Sequence, residues 1–305
     1  MSILAVVPQA ATVTLAFGSQ RAFQSSELPP SSTPLRVLEH ASKHRPHAVA
    51  LGSDLPTFTG FLSELAQLLQ ARLGLPTAVI SEEHVASIPA EARLTGTALF
   101  QRTAAGPKLA VWYAARLAGA ELGLSESESH FVVAYVGETV VAAAVQNGMI
   151  VDMSCPYDEG PFSASASGGL PFAQLLNRCR ELGSREEALL EVTQRGGFKG
   201  YLNVQSLADA ETLAWARHDA DWIYSAFIYQ LAKEIGAYAA VLKGRHRAIV
   251  LTGPHLPTNG LRGLQSYFGS TVVLNYPGDY SIHAVLALGE QLITSRKGME
   301  EDGIC

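Results

Sequence analysis

The chain has 305 residues, a net charge of −6, 48% hydrophobic and 16% charged residues. That length suits two domains of about 150 residues, each with its own core, and the composition lies outside the regime of disordered chains. The acidic balance and the lack of a long basic stretch argue against nucleic acid as a partner.

The N-terminal run 3–7 is apolar and strand-like, without a basic region or cleavage pattern before it, and no run approaches the ~18 apolar residues of a membrane span. A cytoplasmic protein with no membrane contact is expected. The cysteines Cys155, Cys179 and Cys305 form no C-x-x-C pair, which suits a reduced compartment.

In chain order, 3–7 and 12–17 are β-rich and separated by a short connection at Pro8, which reads as a hairpin. A helix follows at 62–73, a strand at 78–81 and a helix at 109–122. The hairpin pattern then returns: 131–136, a Gly137-Glu138 turn, 139–145, and a third strand at 149–153. Helices are predicted at 172–182, 185–194, 207–217 and 220–242, and a final one at 282–295. An order of β-β-β-α-β-α met twice points to a duplicated α/β domain with mixed sheets, because an all-parallel sheet would not open on a tight hairpin. Ser and Glu interrupt the apolar periodicity at 123–130, so the domains are read as 1–126 and 127–296, with 297–305 as a polar tail.

Several clusters have plain readings. Lys243, Arg245, His246 and Arg247 follow the longest predicted helix, where cations complement the helix dipole. His40 and His44 stand four apart, a spacing that can share a metal, but Pro46 ends that helix before His47 joins; a solvated histidine-rich connection is the reading. Asp158 and Glu159 read as loop residues ahead of Gly160-Pro161 rather than a cation site. Ser163, Ser165 and Ser167 alternate with alanine outside any G-x-S-x-G pattern and without an assignable histidine, so a serine hydrolase is not indicated. No metal site is assigned.

Three segments carry more: DEGPFSASASGGLP from Asp158, YQLAKEIGAYAAVLKG from Tyr229 and AIVLTG from Ala248. In that order they resemble the C-terminal half of butyrate kinase, within the acetate kinase, sugar kinase, Hsp70 and actin superfamily. The resemblance implies two actin-like (ribonuclease H-like) α/β domains with mixed five-stranded sheets and an interdomain cleft, the last helix packing on the first domain, and a homodimer. It implies ATP-dependent phosphorylation of a short-chain carboxylate, with ATP and Mg²⁺ as cofactors if the chain is active. Such a transfer relies on backbone amides, cationic side chains and the metal to stabilise charge on the phosphoryl oxygens.

Set against that family, the chain departs at most phosphate-contacting positions. An Asn-Pro-Gly-Ser-Thr-Ser turn is matched here by Val7-Pro8-Gln9-Ala10-Ala11-Thr12. Val7 lacks a side-chain amide, and Gln9 replaces the glycine that lets backbone approach a phosphate. A His-Leu-Gly-Gly-Gly turn is matched by Tyr135-Val136-Gly137-Glu138-Thr139. If Glu138 faced a phosphate, two unit charges about 4 Å apart at an effective dielectric of about 20 would repel by roughly 4 kcal/mol. Ala166 stands at the arginine position of the Gly-Pro-Phe-Ser-Pro-Glu-Arg pattern, Ser81 where the family has an aspartate, and the segment 48–55 lacks the arginine of its counterpart. Leu-Thr-Gly-Gly-Ile becomes Leu251-Thr252-Gly253-Pro254-His255, which removes a backbone donor.

The resemblance therefore implies nucleotide contacts at Gly137, Thr139, Thr252 and Gly253, and a small-anion site at Ser163, Ser165, Ser167, Gly168 and Gly169. No catalytic residue is assigned, the family positions being substituted at Val7, Ser81, Tyr135 and Ala166. Two readings follow. The first is a butyrate-kinase-like protein with phosphoryl transfer lost or strongly weakened and a binding or regulatory role. The alternative is an active carboxylate kinase with a rebuilt site. A nucleotide or a small carboxylate is the ligand in either case.

Overall fold

The computed structural model describes residues 2–9 and 12–301 and divides into two compact units, residues 1–85 with 280–305, and residues 86–279. In the first unit, β1 (Ile3–Pro8), β2 (Val13–Ser19) and β3 (Ala22–Leu28) form an antiparallel meander. Beyond β1, β4 (Ala48–Gly52) and β5 (Thr77–Ile80) add in parallel, giving the order β3-β2-β1-β4-β5. Alternation along the strands decides which helix each face meets. Leu4, Val6, Val49 and Leu51 form one core with Val37 and Ala41 of α1 (Pro34–His44) and Leu62, Leu65 and Leu69 of α2 (Thr59–Leu73). On β4 the intervening Ala50 and Gly52 meet α9 (Ser281–Glu301): a Cβ on Gly289 would sit 2.4 Å from that of Ala50.

The second unit repeats the plan. β6 (Phe131–Val136), β7 (Val140–Gln146) and β8 (Met149–Met153) form the meander, and β9 (Ala248–Gly253) and β10 (Val273–Pro277) add in parallel beside β6. The order β10-β9-β6-β7-β8 is that of the first sheet. One face packs on α8 (His218–Val241), whose Tyr224, Phe227, Leu231, Ile235 and Tyr238 join Val132, Ala134, Ala142, Ala144, Ile249 and Leu251 in a single core. The opposite face carries α3 (Lys108–Glu121), which packs on β6 and β9. Four shorter helices, α4 (Phe172–Leu182), α5 (Arg185–Gln194), α6 (Gly197–Leu202) and α7 (Leu207–Ala216), fill the crossover between β8 and α8.

The duplicated α/β architecture with mixed sheets is as the element order predicts, and the five strands in each sheet are as the resemblance implies. Several details differ from the sequence reading. β3 is absent from it because its burial is mostly exposed and its residues polar, leaving no apolar run to detect. α6 opens on the pair Gly196-Gly197, the second being its first residue, and is only six residues long. The tail predicted from 297 is helical through Glu301, since α9 continues past the expected end; residues 302–305 lie outside the described residues, as do Ala10 and Ala11. The polar stretch 123–130 joins α3 to β6 within the second unit, whose compact body begins at Ala86 because α3 lies on the second sheet. Among the described residues no helix is long and apolar enough to cross a membrane.

Candidate functional site

The parallel pairing of β6, β9 and β10 brings their C-terminal ends side by side, with Tyr135 opposite Thr252 and Thr252 opposite Tyr276. Open α/β sheets bind ligands at such strand ends. Here Gly253 takes φ +117°, and a Cβ on it would fall 2.3 Å from the Val136 carbonyl oxygen, so only glycine permits this approach of β9 to β6. The closure is tied by backbone bonds: His255 N–H donates to Val136 O at 3.0 Å, and Gly278 N–H donates to Gly253 O at 2.9 Å. Thr252 is fully buried and its Oγ1 has no hydrogen-bond partner among the described residues, as has the Nδ1 of His255. An orphaned buried hydroxyl is costly unless something satisfies it.

The β6–β7 turn is closed by Gly137 N–H donating to Thr139 O at 3.0 Å. The Tyr135 ring folds back over it, 2.6 Å from where a Cβ on Gly137 would stand. Tyr135, matched to the family's histidine, thus covers the turn with a phenol. Glu138 is exposed, and its charge acts on the 154–159 segment: burial, then the Glu138 carboxylate, push the Tyr157 phenol above its ordinary value.

The loop after β8 is bound into the protein by its own backbone. Ser163 N–H donates to Ala166 O at 2.8 Å, Ser167 N–H to Val192 O at 2.8 Å and Gly169 N–H to Gly160 O at 3.1 Å. The hydroxyls are similarly engaged. Ser163 Oγ accepts from Ala166 N–H at 3.1 Å, and Ser167 Oγ donates to Val192 O at 2.9 Å. The α5–α6 turn closes against the same loop, with Gly196, Phe198 and Lys199 N–H donating to Ser165, Ser163 and Ala164 carbonyls. Of the predicted anion contacts, the hydroxyls of Ser163 and Ser167 and the amides of Ser163, Ser167 and Gly169 therefore have protein partners. Gly168 lies where a Cβ would meet Gly160 O at 2.6 Å, so it serves the turn. Ala166, at the arginine position, is 3% exposed.

The remaining substituted positions lie in the first unit. Val7 is buried in β1 opposite Thr14. Gln9 N–H closes the hairpin onto Thr12 O at 2.8 Å, while Ser53, after β4, donates its hydroxyl to Pro8 O at 2.8 Å. Ser81 caps a short 3₁₀ turn after β5, its Oγ 3.0 Å from Glu83 and 2.8 Å from His84 Nδ1. His40 and His44 stack with ring centroids 4.1 Å apart on α1, and burial with the His44 charge lowers the His40 pKa.

One cluster was invisible in the sequence. Arg102 donates from Nε to both carboxylate oxygens of Glu159 at 2.9 and 3.1 Å, from Nη1 to Ala92 O at 3.1 Å and to Asp152, and from Nη2 to Met153 O at 3.0 Å and to the Tyr238 hydroxyl. Burial alone would lower the guanidinium pKa; the bonds to Glu159 and Asp152 outweigh it and raise the value. Glu234, on α8, faces the same carboxylates, and burial followed by the Glu159 charge pushes its carboxyl up to about 7. Among the described residues no group of three or more His, Cys, Asp or Glu side chains is placed to hold a metal ion.

The sequence pattern of the acetokinase family matches residues 110–255. A probable butyrate kinase of Thermotoga petrophila is 32% identical over 237 residues, covering 75% of this chain and 66% of that protein. A probable butyrate kinase of Listeria innocua is 34% identical over 215 residues, 70% of this chain and 58% of that one. The chain belongs to the acetokinase family. The crystal structure of Porphyromonas gingivalis acetate kinase superimposes with a TM-score of 0.73 at 14% identity, over 96% of this chain and 99% of that one, and supports the actin-like fold. This acetokinase-family chain spans from under three-fifths to about two thirds of the length of those butyrate kinases.

Proposed function

We propose that the chain is a butyrate-kinase-like protein that keeps the scaffold for a nucleotide and a short-chain carboxylate, while phosphoryl transfer from ATP to the carboxylate is lost or strongly weakened, leaving a binding or regulatory role. The observation that carries this reading is the loop 160–169. It holds a buried Ala166 where the family pattern has arginine, and the N–H groups of Ser163 and Ser167 and the Ser167 hydroxyl already donate within the protein. A phosphoryl group arriving there meets few donors. Loss of a single such donor commonly costs ~10²- to 10³-fold in rate, and the Tyr135 and Glu138 substitutions act in the same direction.

Residues suited to a nucleoside remain. Thr252 Oγ1 is a buried hydroxyl without a partner among the described residues, beside the Gly253 approach that a side chain would block. Thr252, Gly253, Gly137 and Thr139 are therefore the residues that would hold ATP, whose terminal phosphoryl would be the transferable group. The described residues do not offer a comparable fit for Mg²⁺, since Asp152 and Glu159 are paired with Arg102. No step is assigned to a metal.

Calorimetry and thermal shift with ATP, ADP and AMP, each with and without Mg²⁺, test the binding half. A hydroxamate assay with short-chain carboxylates tests the transfer. Stabilisation by nucleotide without acyl phosphate is the expected outcome. Sustained acyl phosphate formation that Gly253→Ala abolishes would overturn the loss of transfer and establish an active carboxylate kinase with a rebuilt site.

A further inference from the structure

Arg102 lies far in sequence from every side chain it binds. Its five N–H groups reach the 88–93 segment through Ala92 O, β8 through Asp152 and Met153 O, the loop after β8 through Glu159, and α8 through Tyr238. Every donor of the guanidinium is engaged, with Nε–H shared between both carboxylate oxygens of Glu159. Glu159 transmits that hold to the loop: its Oε1 also accepts the Cys155 N–H at 2.9 Å, while its own N–H and that of Asp158 donate to Cys155 O at 3.0 and 3.1 Å. The next residue, Gly160, accepts from Gly169 N–H and so closes the loop that contains Ala166.

We propose that Arg102 is the positioning residue of the loop 155–169, pinning its first turn to β8 and α8, and that Glu234 sets how firmly this clasp closes. The Glu234 carboxyl lies against the loop, 3.7 Å from where a Cβ on Gly160 would stand, and the charged or titratable groups that act on it are Arg102 from the segment before α3, Asp152 from β8, Glu159 from the loop, and Lys233 and Tyr238 from α8 itself. With Glu234 protonated, one guanidinium is set against two carboxylates. With Glu234 ionised, it is set against three, and Glu159 is the carboxylate on the loop. The clasp is thus tightest on the acid side of neutrality and loosens as pH rises. The clasp stands independently of the functional reading above.

Hydrogen exchange on the full chain, corrected for intrinsic pH dependence, reads the clasp directly. In Arg102→Ala the amides of Cys155, Asp158, Glu159 and Gly169 are expected to exchange about 10-fold faster or more, with β6 and β9 amides unchanged. Arg102→Lys, which keeps the charge but not the fork, should fall between and serves if the alanine variant does not fold. In the wild type the same four amides should exchange several-fold faster at pH 8 than at pH 6, and Glu234→Gln should remove that difference. Unchanged loop exchange in both Arg102 variants, or acceleration spread evenly over the sheet, overturns the positioning role. A pH dependence that survives Glu234→Gln overturns the role of Glu234. Neither readout needs turnover, so failure of the kinase-like reading appears separately, as absence of nucleotide binding.

Discussion

Gly253 and Val136 stand so close that a single methyl group on the glycine would lie 2.3 Å from the valine carbonyl oxygen. The two residues end neighbouring parallel strands, and their approach forms the floor beside the unpartnered Thr252 hydroxyl. Gly253→Ala must either push β9 away from β6 or abandon φ +117°, a region that L side chains rarely adopt. We expect a loss of about 2–4 kcal/mol in unfolding free energy and the disappearance of any nucleotide-induced thermal shift. Denaturant unfolding with and without ADP checks both. Retained stability with retained binding would mean that the strand ends relax more freely than backbone packing suggests.

The pH dependence of stability follows from Glu234. Its carboxyl is raised from the usual 4.5 to about 7 in the folded chain, so between those values the folded state holds a proton that the unfolded state has released. Stability then falls as pH rises through this window and levels off above pH 7, the reverse of a salt-bridged carboxylate. Water reaches part of the group, which limits the effect to about 1–2 kcal/mol. Glu234→Gln should match the wild type near pH 4.5 and exceed it by that amount at pH 8. Urea midpoints at the two pH values decide it; equal slopes with pH in both proteins would remove Glu234 as the cause.

Much of this was legible in the chain. The repeated hairpin opening of each half showed in the apolar runs 3–7, 131–136 and 139–145 and in their tight turns, because buried strands are near-continuous apolar segments. The resemblance around Asp158, Tyr229 and Ala248 located the loop, the central helix and the strand end. β3 was not legible, since an exposed edge strand such as Ala22–Leu28 carries no burial signal. Neither was Arg102, because its partners lie 50, 57 and 136 residues away and no local period links them. The alternating serines looked like free donors for an anion. Which donors are already bonded is a tertiary fact: here Val192 O takes both the N–H and the hydroxyl of Ser167, and Ala166 O takes the Ser163 N–H.

Phe198 is fully buried, with its ring centroid 5.1 Å from Phe162 and 5.3 Å from Phe227, while its N–H donates to Ser163 O. The ring therefore anchors α6, the loop and α8 together. Phe198→Ala leaves a cavity at that junction and should cost about 3–5 kcal/mol. Phe198→Leu, which keeps most of the volume, should recover more than half of the loss. Chemical unfolding of the two variants provides the comparison, and an alanine cost below about 1 kcal/mol would show that the loop is held elsewhere.

Ala166→Arg restores the residue type of the family pattern at a position that is 3% exposed and whose carbonyl already accepts the Ser163 N–H. A guanidinium there finds no carboxylate among the hydrogen-bond partners of residues 160–169, and an unpaired buried cation is costly enough that the chain opens the turn to hydrate it. We expect unfolding free energy to drop by about 2–4 kcal/mol, with the amides of Ser163 and Gly169 losing exchange protection. Acyl phosphate should not rise above the blank, because Tyr135 still covers the Gly137 turn and the first-unit positions Val7 and Ser81 are unchanged. The double variant Ala166→Arg with Tyr135→His narrows the explanation, since it returns two contacts at once. Turnover gained by the single variant alone would show that one missing arginine, and no wider remodelling, separates this chain from a working kinase.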